Sequence, residues 1–279
     1  MSFELEVSGL ALRIRIVEID DVIIHEEIVP ELLERLIQNI VENGAVKDPV
    51  VVDEQTRVVL DGMHRVAAVK KLGCVGLPIC EVDYQDPRIK IGCWYRIIRN
   101  GGEEQKFWEI VRLLGLEMEE CLVEKARAAL DRREAIAAFL SPSGCRMVKA
   151  LHRDILEIYT WIKRIELALR EEGFKIQYEH EEDAQRMAGD ATVLMVPCVT
   201  KEEVVEMALA GHVFAHKTTR HMIPARPLNV RVPLDWLRGE VSLEEANRRL
   251  EELLRGRKIE RLPAGSVWEG RRYEEEAIV

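Results

Sequence analysis

The sequence predicts an α/β (α+β) protein of two domains. Three observations carry this expectation. The chain has 279 residues, 47% of them hydrophobic, which is enough to bury more than one modest core. Its first hundred residues mix strand-like and helix-like patterns around one strongly amphipathic helix. From Phe174 to Ala210, strand and helix patterns alternate again, as in a second α/β unit.

In chain order, Ala11 to Ile19 alternates apolar and polar side chains as a half-buried strand does. Ile23-Ile24-His25-Glu26-Glu27 then leads into the clearest element. Leu32, Leu33, Leu36, Ile37, Ile40 and Val41 recur at helical spacing, with Pro30 near the start and Gly44 as the stop. Pro49-Val50-Val51-Val52 and Arg57-Val58-Val59-Leu60 read as a strand pair. A short helix follows from about Met63 to Leu72, closed by Gly73, and Leu77 to Val82 is another strand. Asn100-Gly101-Gly102 marks the expected boundary, giving domains at 1–100 and 101–235 and a charged extension at 236–279.

The second domain opens with helical stretches from about Glu103 and Glu119. A hairpin is expected from Ala135 to Leu140 and Arg146 to Ala150, across Ser141-Pro142-Ser143-Gly144. A long helix from about Leu151 to Glu171 precedes a strand (Phe174 to Tyr178), a helix (Glu181 to Ala188), a strand (Thr192 to Val196) and a helix (Lys201 to Ala210). The extension reads as one helix, Leu243 to Leu254, and a loose end.

A net charge of −10 argues against a general nucleic-acid binder, because phosphate backbones recruit Lys and Arg. No stretch approaches the roughly 18 apolar residues of a membrane helix, and Met-Ser-Phe-Glu-Leu-Glu lacks the basic and apolar regions of a secretory signal. A cytoplasmic protein with no membrane partner is expected. Scarce Asn and Gln beside abundant Glu and Arg match the composition of proteins from hot environments. Six dispersed cysteines include no Cys-x-x-Cys, so no zinc or thioredoxin-like motif is signalled and buried thiols are expected.

The chemistry concentrates at Val59-Leu60-Asp61-Gly62-Met63-His64-Arg65-Val66-Ala67-Ala68, where a strand runs into a helix. On one reading Asp61 caps the helix and Gly62 permits the turn. On the other, the free N–H groups of a helix start, Gly62, Met63, His64 and Arg65 cradle a phosphate. Asp61 would then hold Mg²⁺ or stand beside a transferring phosphoryl group. A second polar cluster, Lys217-Thr218-Thr219-Arg220-His221, suits phosphate or carboxylate. Glu26, after His25, is either placed for the helix dipole or a general base for a substrate hydroxyl. Trp94 is a core residue or a pocket wall. His152, His180, His212 and His216 show no usable spacing and read as structural or surface.

Asp61-Gly62-Met63-His64-Arg65-Val66-Ala67-Ala68 resembles the signature of the ParB/sulfiredoxin-like superfamily. Met63 stands where sulfiredoxins carry their catalytic cysteine, which argues against sulfinic-acid reduction. ParB partition proteins have two arginines after the acid and a helix-turn-helix domain, and no basic recognition helix is visible here. The chain is more similar to the archaeal free serine kinases through most of residues 15–237. The His25-Glu26 start, the Asp61-to-Arg65 turn, Trp94-Tyr95 and the Lys217-to-His221 loop occur in that order, with similar lead-ins at Lys201-Glu202-Glu203-Val204 and Gly211-His212-Val213-Phe214.

This resemblance implies a kinase that forms O-phospho-L-serine for cysteine biosynthesis from L-serine and ADP or ATP, with Mg²⁺. Glu26 would be the catalytic base. Asp61, Gly62, His64 and Arg65 would hold Mg²⁺ and phosphate, with Met63 in the same nucleotide-binding turn. His25 and Trp94 would help shape the serine site. Thr218, Thr219, Arg220 and His221 would bind phosphate or the substrate carboxylate, and the active site would lie between the domains. Thermococcal members of the group carry His where this chain has Met63, which leaves donor preference open. Neither donor choice nor oligomeric state is written in a motif spacing. Two other readings remain at this stage: a ParB-like nucleotide-binding regulator, and a nucleotide hydrolase in which water replaces serine.

Overall fold

The computed structural model describes residues 2–99, 104–150, 153–187, 189, 191–268, 271–273 and 275–279. The expected boundary at Asn100-Gly101-Gly102 and the residue His152 lie outside these. The chain divides into two compact units that interleave in sequence. One comprises Met1–Lys90, Lys201–Val213 and His221–Val279, the other Ile91–Thr200 and Phe214–Arg220. Among the described residues, no helix is long and apolar enough to cross a membrane.

The first unit is built on a five-stranded sheet, ordered Phe3–Val7, Leu10–Glu18, Gly76–Val82, Val50–Asp53, Val59–Asp61. The Val50–Asp53 strand runs parallel to Gly76–Val82, and the other pairings are antiparallel. Gly76–Val82 is buried at every position, which is why its sequence does not alternate. A further strand, Phe3–Val7, precedes the expected one. Its acidic residues alternate with apolar ones, and it pairs only along the outer edge of Leu10–Glu18.

The helix Pro30–Asn43 has its proline in the first turn and stops at Gly44, whose φ of +61° lets its N–H return to the Val41 carbonyl at 3.1 Å. Its Ile40 enters the unit's core with Leu12, Ile14, Val52, Leu77 and Ile79. The helix Met63–Lys71 packs beside it, with Lys71 paired to Glu34 across the two.

The carboxyl-terminal segment completes this core rather than hanging from it. Helix Leu243–Arg255, capped by Ser242, buries Ala246, Leu250 and Leu254 against the sheet. The expected loose end also folds, as Glu276–Ile278 pairs in parallel with Ala225–Pro227 and antiparallel with Arg261–Leu262. Sequence patterning missed this because each strand is only two or three residues long and its partners are distant in the chain.

The second unit is a six-stranded sheet ordered Lys175–His180, Trp94–Arg99, Thr192–Met195, Ala135–Ser141, Gly144–Lys149, Met118–Cys121. All its pairings are antiparallel, so the strand–helix alternation that suggested a second α/β domain reports an α+β arrangement. The predicted hairpin turns at Pro142-Ser143, with Ser141 opposite Gly144. The helical stretch expected from Glu119 begins as the strand Met118–Cys121, and the helix starts only at Val123. Helix Ile155–Glu171 starts later than expected, at the Asp154 cap. It buries Ile158, Ile162, Ile165 and Leu169, while the Phe107 and Phe139 rings meet edge to face at 4.7 Å.

Asn247 shows how helix Leu243–Arg255 is keyed to the first sheet. Its side-chain oxygen accepts from the Ile16 N–H at 2.7 Å, and its amide donates to the Ile16 carbonyl at 2.8 Å. The neighbouring Phe3–Val7 strand reaches only as far as Ile14, so Asn247 stands in for a strand partner. Replacing Asn247 by Ala should lower the unfolding free energy by about 1–3 kcal/mol, the cost of stranding buried polar groups. Urea unfolding of the two proteins measures this, and a difference below about 0.5 kcal/mol would mean that water replaces the amide.

Candidate functional site

In the first unit the site is organised around the turn from strand Val59–Asp61 into helix Met63–Lys71. Gly62 makes the corner with φ +101°, a conformation strained for any L side chain. A Cβ there would lie 3.0 Å from Arg65 Nη1 and 3.3 Å from Val50 Cγ2. Because the helix begins on glycine, no cap side chain covers its first turn, and the helix dipole adds positive potential there. Met63 packs its side chain against the core, so what it offers the turn is its backbone N–H.

Asp61 faces two guanidiniums. Its Oδ2 accepts from Arg65 Nη2 at 3.3 Å and from Arg226 Nη1 at 3.2 Å. Arg65 also donates to the carbonyls of Asp48 and Pro49, and the buried Arg226 pairs with Glu275. The two cations therefore hold Asp61 at the mouth of the turn, with a third of its side chain exposed.

The segment before the first helix is tied beside this turn at both ends. Ile23 bridges Val58, its N–H donating to the Arg57 carbonyl at 3.0 Å and its carbonyl accepting from Val59 at 2.9 Å. Six residues later the Val29 N–H donates to His64 Nε2 at 2.9 Å, an acceptor role that puts the His64 proton on Nδ1. Between the ties lie His25, fully buried, and Glu26, 7% exposed.

His25 packs edge to face on His221, the ring centroids 5.6 Å apart. Burial is the main cause that pushes His25 down to about 4, against a hydrogen bond to the Val59 backbone. His221 is pushed down to about 3, first by burial and then by His25, against Asp61 and a hydrogen bond to the Leu60 backbone. Part of the His221 residue reaches the surface, but its ring is enclosed. The Tyr84 hydroxyl lies 2.8 Å from His221 Nε2, and burial pushes its ionisation up, so it keeps its proton. Asp53 in turn accepts from the Tyr84 N–H at 3.2 Å. Two neutral imidazoles thus brace the strand that ends in Asp61.

In the second unit, Trp94 organises the other cluster. Its indole N–H donates to the Thr219 carbonyl at 3.0 Å, Lys217 Nζ lies 4.0 Å from the ring centroid, and the Arg220 guanidinium carbon 5.8 Å from it. His180, directly opposite in the strand register, meets the same indole with its ring tilted by 53° and the centroids 5.0 Å apart. Thr218 is fully buried and its hydroxyl donates to the Ala215 carbonyl at 2.7 Å. Buried Arg96 donates to the Trp94 carbonyl and pairs with Glu166 at 2.6 Å.

No family model matches the chain. It is, however, 30% identical over 239 residues to an ATP-dependent L-serine kinase of Staphylothermus marinus, covering 80% of this chain and 90% of the relative. The chain belongs to the L-serine kinase family. An ADP-dependent L-serine kinase of Thermococcus kodakarensis is also 30% identical, over 79% of this chain and 91% of the relative. Among solved structures, a mutant free serine kinase in complex with ADP superimposes with a TM-score of 0.70 at 27% identity, covering 80% of this chain and 93% of that one.

For this member of the L-serine kinase family, the fold brings together Asp61, Gly62, Met63, His64 and Arg65 with His25, Glu26 and His221 in the first unit. Trp94, Thr218, Thr219 and Arg220 form the second unit's cluster. Sequence reasoning missed Tyr84, Arg226 and Glu275, and it gave no role to His180. None sits in a motif: strand pairing sets His180 opposite Trp94, while Tyr84, Arg226 and Glu275 join the first cluster through side-chain contacts between segments far apart in the chain.

Two outcomes follow from this geometry. Arg226→Met should destabilise the protein by on the order of 2 kcal/mol, less than the roughly 3–5 kcal/mol of a fully buried pair because Asp61 is partly solvated; denaturant titration measures it. Each buried imidazole binds its proton more weakly folded than unfolded, so the unfolded chain takes up more protons as pH falls below about 6.5. Stability is therefore full at neutral pH and is lost progressively from pH 6.5 towards the folded values of about 4 and about 3. Unfolding curves at pH 7, 6, 5 and 4 should show this loss, and His25→Asn should flatten the profile.

Proposed function

We propose that this protein transfers a phosphoryl group from ATP or ADP to the hydroxyl of L-serine, giving O-phospho-L-serine that feeds cysteine biosynthesis in the cytoplasm. The observation that carries the reading is the Asp61–Arg65 turn in a chain of the L-serine kinase family. A helix start without a cap side chain, with the Arg65 guanidinium and the Asp61 carboxylate beside it and Arg226 held between Asp61 and Glu275, suits a phosphate and its counter-charge. The donor is given as either nucleotide because relatives of both kinds are equally similar.

In this reading the backbone of Gly62, Met63 and His64 and the guanidinium of Arg65 hold the donor phosphates. Glu26 accepts the proton of the serine hydroxyl as its oxygen attacks phosphorus, which raises the nucleophilicity of that oxygen. His25 and His221 shape the acceptor position without adding charge. Trp94 and Arg220 take the serine carboxylate end, and Thr218 and Thr219 set the loop that carries Arg220.

The residues fit Mg²⁺ as a companion of the nucleotide. Asp61 offers one partly exposed carboxylate, and among the described residues it joins no cluster of three ligating side chains. Mg²⁺ commonly takes one or two carboxylates, with phosphate oxygens and water completing its shell. When bound it would neutralise charge on the phosphates. The proposal needs no nucleic-acid or membrane partner.

The test is to incubate the purified protein with Mg²⁺, L-serine and either nucleotide and to follow O-phosphoserine by mass spectrometry. Product is expected with at least one donor, and Glu26→Gln should lower turnover by about 10²–10⁴-fold with the circular dichroism spectrum unchanged. Nucleotide turnover indifferent to serine would instead indicate a hydrolase. Salt-sensitive duplex binding with no turnover would indicate a ParB-like regulator.

A further inference from the structure

Three strands of the second unit's sheet end side by side, and the residues just past those ends are two cysteines and a glutamate. In the antiparallel register of Lys175–His180 with Trp94–Arg99, His180 lies opposite Trp94, so Glu181 and Cys93 occupy the next place along the ladder. The adjoining strand Thr192–Met195 pairs with the other side of Trp94–Arg99 and leads to Cys198 three residues beyond its end. The Cys93 and Cys198 sulfurs and a Glu181 carboxylate oxygen all lie within 4.8 Å of one another. No other group of three such side chains is this close among the described residues.

We propose that Cys93, Glu181 and Cys198 form a binding site for one borderline-soft divalent cation of the zinc type, separate from the Mg²⁺ that accompanies nucleotide. The donor set is two sulfurs and one carboxylate, which suits Zn²⁺ and is unsuited to the hard, oxygen-seeking Mg²⁺. Zinc–sulfur bonds of about 2.3 Å place two sulfurs roughly 3.8 Å apart in a tetrahedral site, so from separations within 4.8 Å the cluster closes with movements of at most about 1 Å. Three protein ligands leave a fourth position for water, and Cys198 and Glu181 reach the surface, which provides an entry path.

The surroundings orient the ligands. The Tyr95 hydroxyl donates to Glu181 Oε1 at 3.2 Å, as outer hydrogen bonds do for ligating carboxylates. Arg133 donates to the Cys198 carbonyl at 2.5 Å and fixes the loop that carries this cysteine. Cys93 Sγ is 3.7 Å from the Val196 carbonyl, a weak contact that binding would replace. On binding, each S–H bond breaks heterolytically, its proton goes to solvent and its electron pair goes to the metal, with no change of oxidation state. The bound ion would lock three strand ends beside Trp94.

Cobalt titration of the metal-stripped, reduced full-length protein tests this. A thiolate-to-cobalt charge-transfer band should rise to saturation at one equivalent of Co²⁺ and be displaced by Zn²⁺, and Cys121→Ser should leave the titration unchanged. Cys198→Ser, at the partly exposed ligand, should weaken Co²⁺ binding at least tenfold. Tyr95→Phe should weaken it by about 10-fold or more while keeping the band. Absence of a charge-transfer band in the folded wild-type protein, or an identical titration in Cys198→Ser, overturns the proposal. So does a Cys93–Cys198 disulfide, found by peptide mapping, whose reduced form takes up no Co²⁺.

Discussion

The Asp61 carboxylate, held between Arg65 and Arg226, is the contact on which the rest of the turn depends. One guanidinium comes from the first turn of the following helix, the other from a strand 165 residues further along the chain. With Glu275 on Arg226 the two guanidiniums and two carboxylates balance, so the pull on an anion at this turn comes from the uncapped helix start and its dipole, with Arg65 beside it. Gly62 suits the same contact, because its φ of +101° is strained for an L side chain and a Cβ there would crowd the Arg65 guanidinium at 3.0 Å. Glu275, close to the carboxyl terminus, engages the second guanidinium and makes the tail part of the site's support.

A second constraint is the way the 23–29 segment is fixed. Its backbone pairs with the strand leading to Asp61 at one end and is accepted by the His64 imidazole at the other. Glu26 lies on this short tether, shielded from water, so its position follows from backbone hydrogen bonds rather than from its own conformational preference. The His25–His221 pair, packed edge to face and held neutral by burial, adds no charge to the turn.

Trp94 does for the second unit what Asp61 does for the first. Its indole carries Lys217 and Arg220 on its surface and holds the Thr219 carbonyl, while buried Arg96 anchors its own carbonyl. The loop of residues 217–220 is therefore templated by an aromatic side chain more than a hundred residues earlier. The cysteine–glutamate cluster sits at the end of the same strand ladder, one register place from Trp94.

Local patterning by itself determined the elements with strong periodicity and clear punctuation. Helix Pro30–Asn43 could be read from its apolar spacing, its proline and its glycine, and the Asp61-to-Arg65 turn from the collision of strand, glycine and helix in ten residues. The hairpin across Pro142-Ser143 was legible for the same reason. These depend on interactions within a few residues. Tertiary structure decided the rest: the docking of Leu243–Arg255 through Asn247, the pairing of the tail, the second arginine on Asp61, and the meeting of Cys93, Glu181 and Cys198. Each joins groups far apart in the chain through short strands or single side chains. No local spacing records such contacts, because they exist only once the sheets have set which strand ends lie side by side.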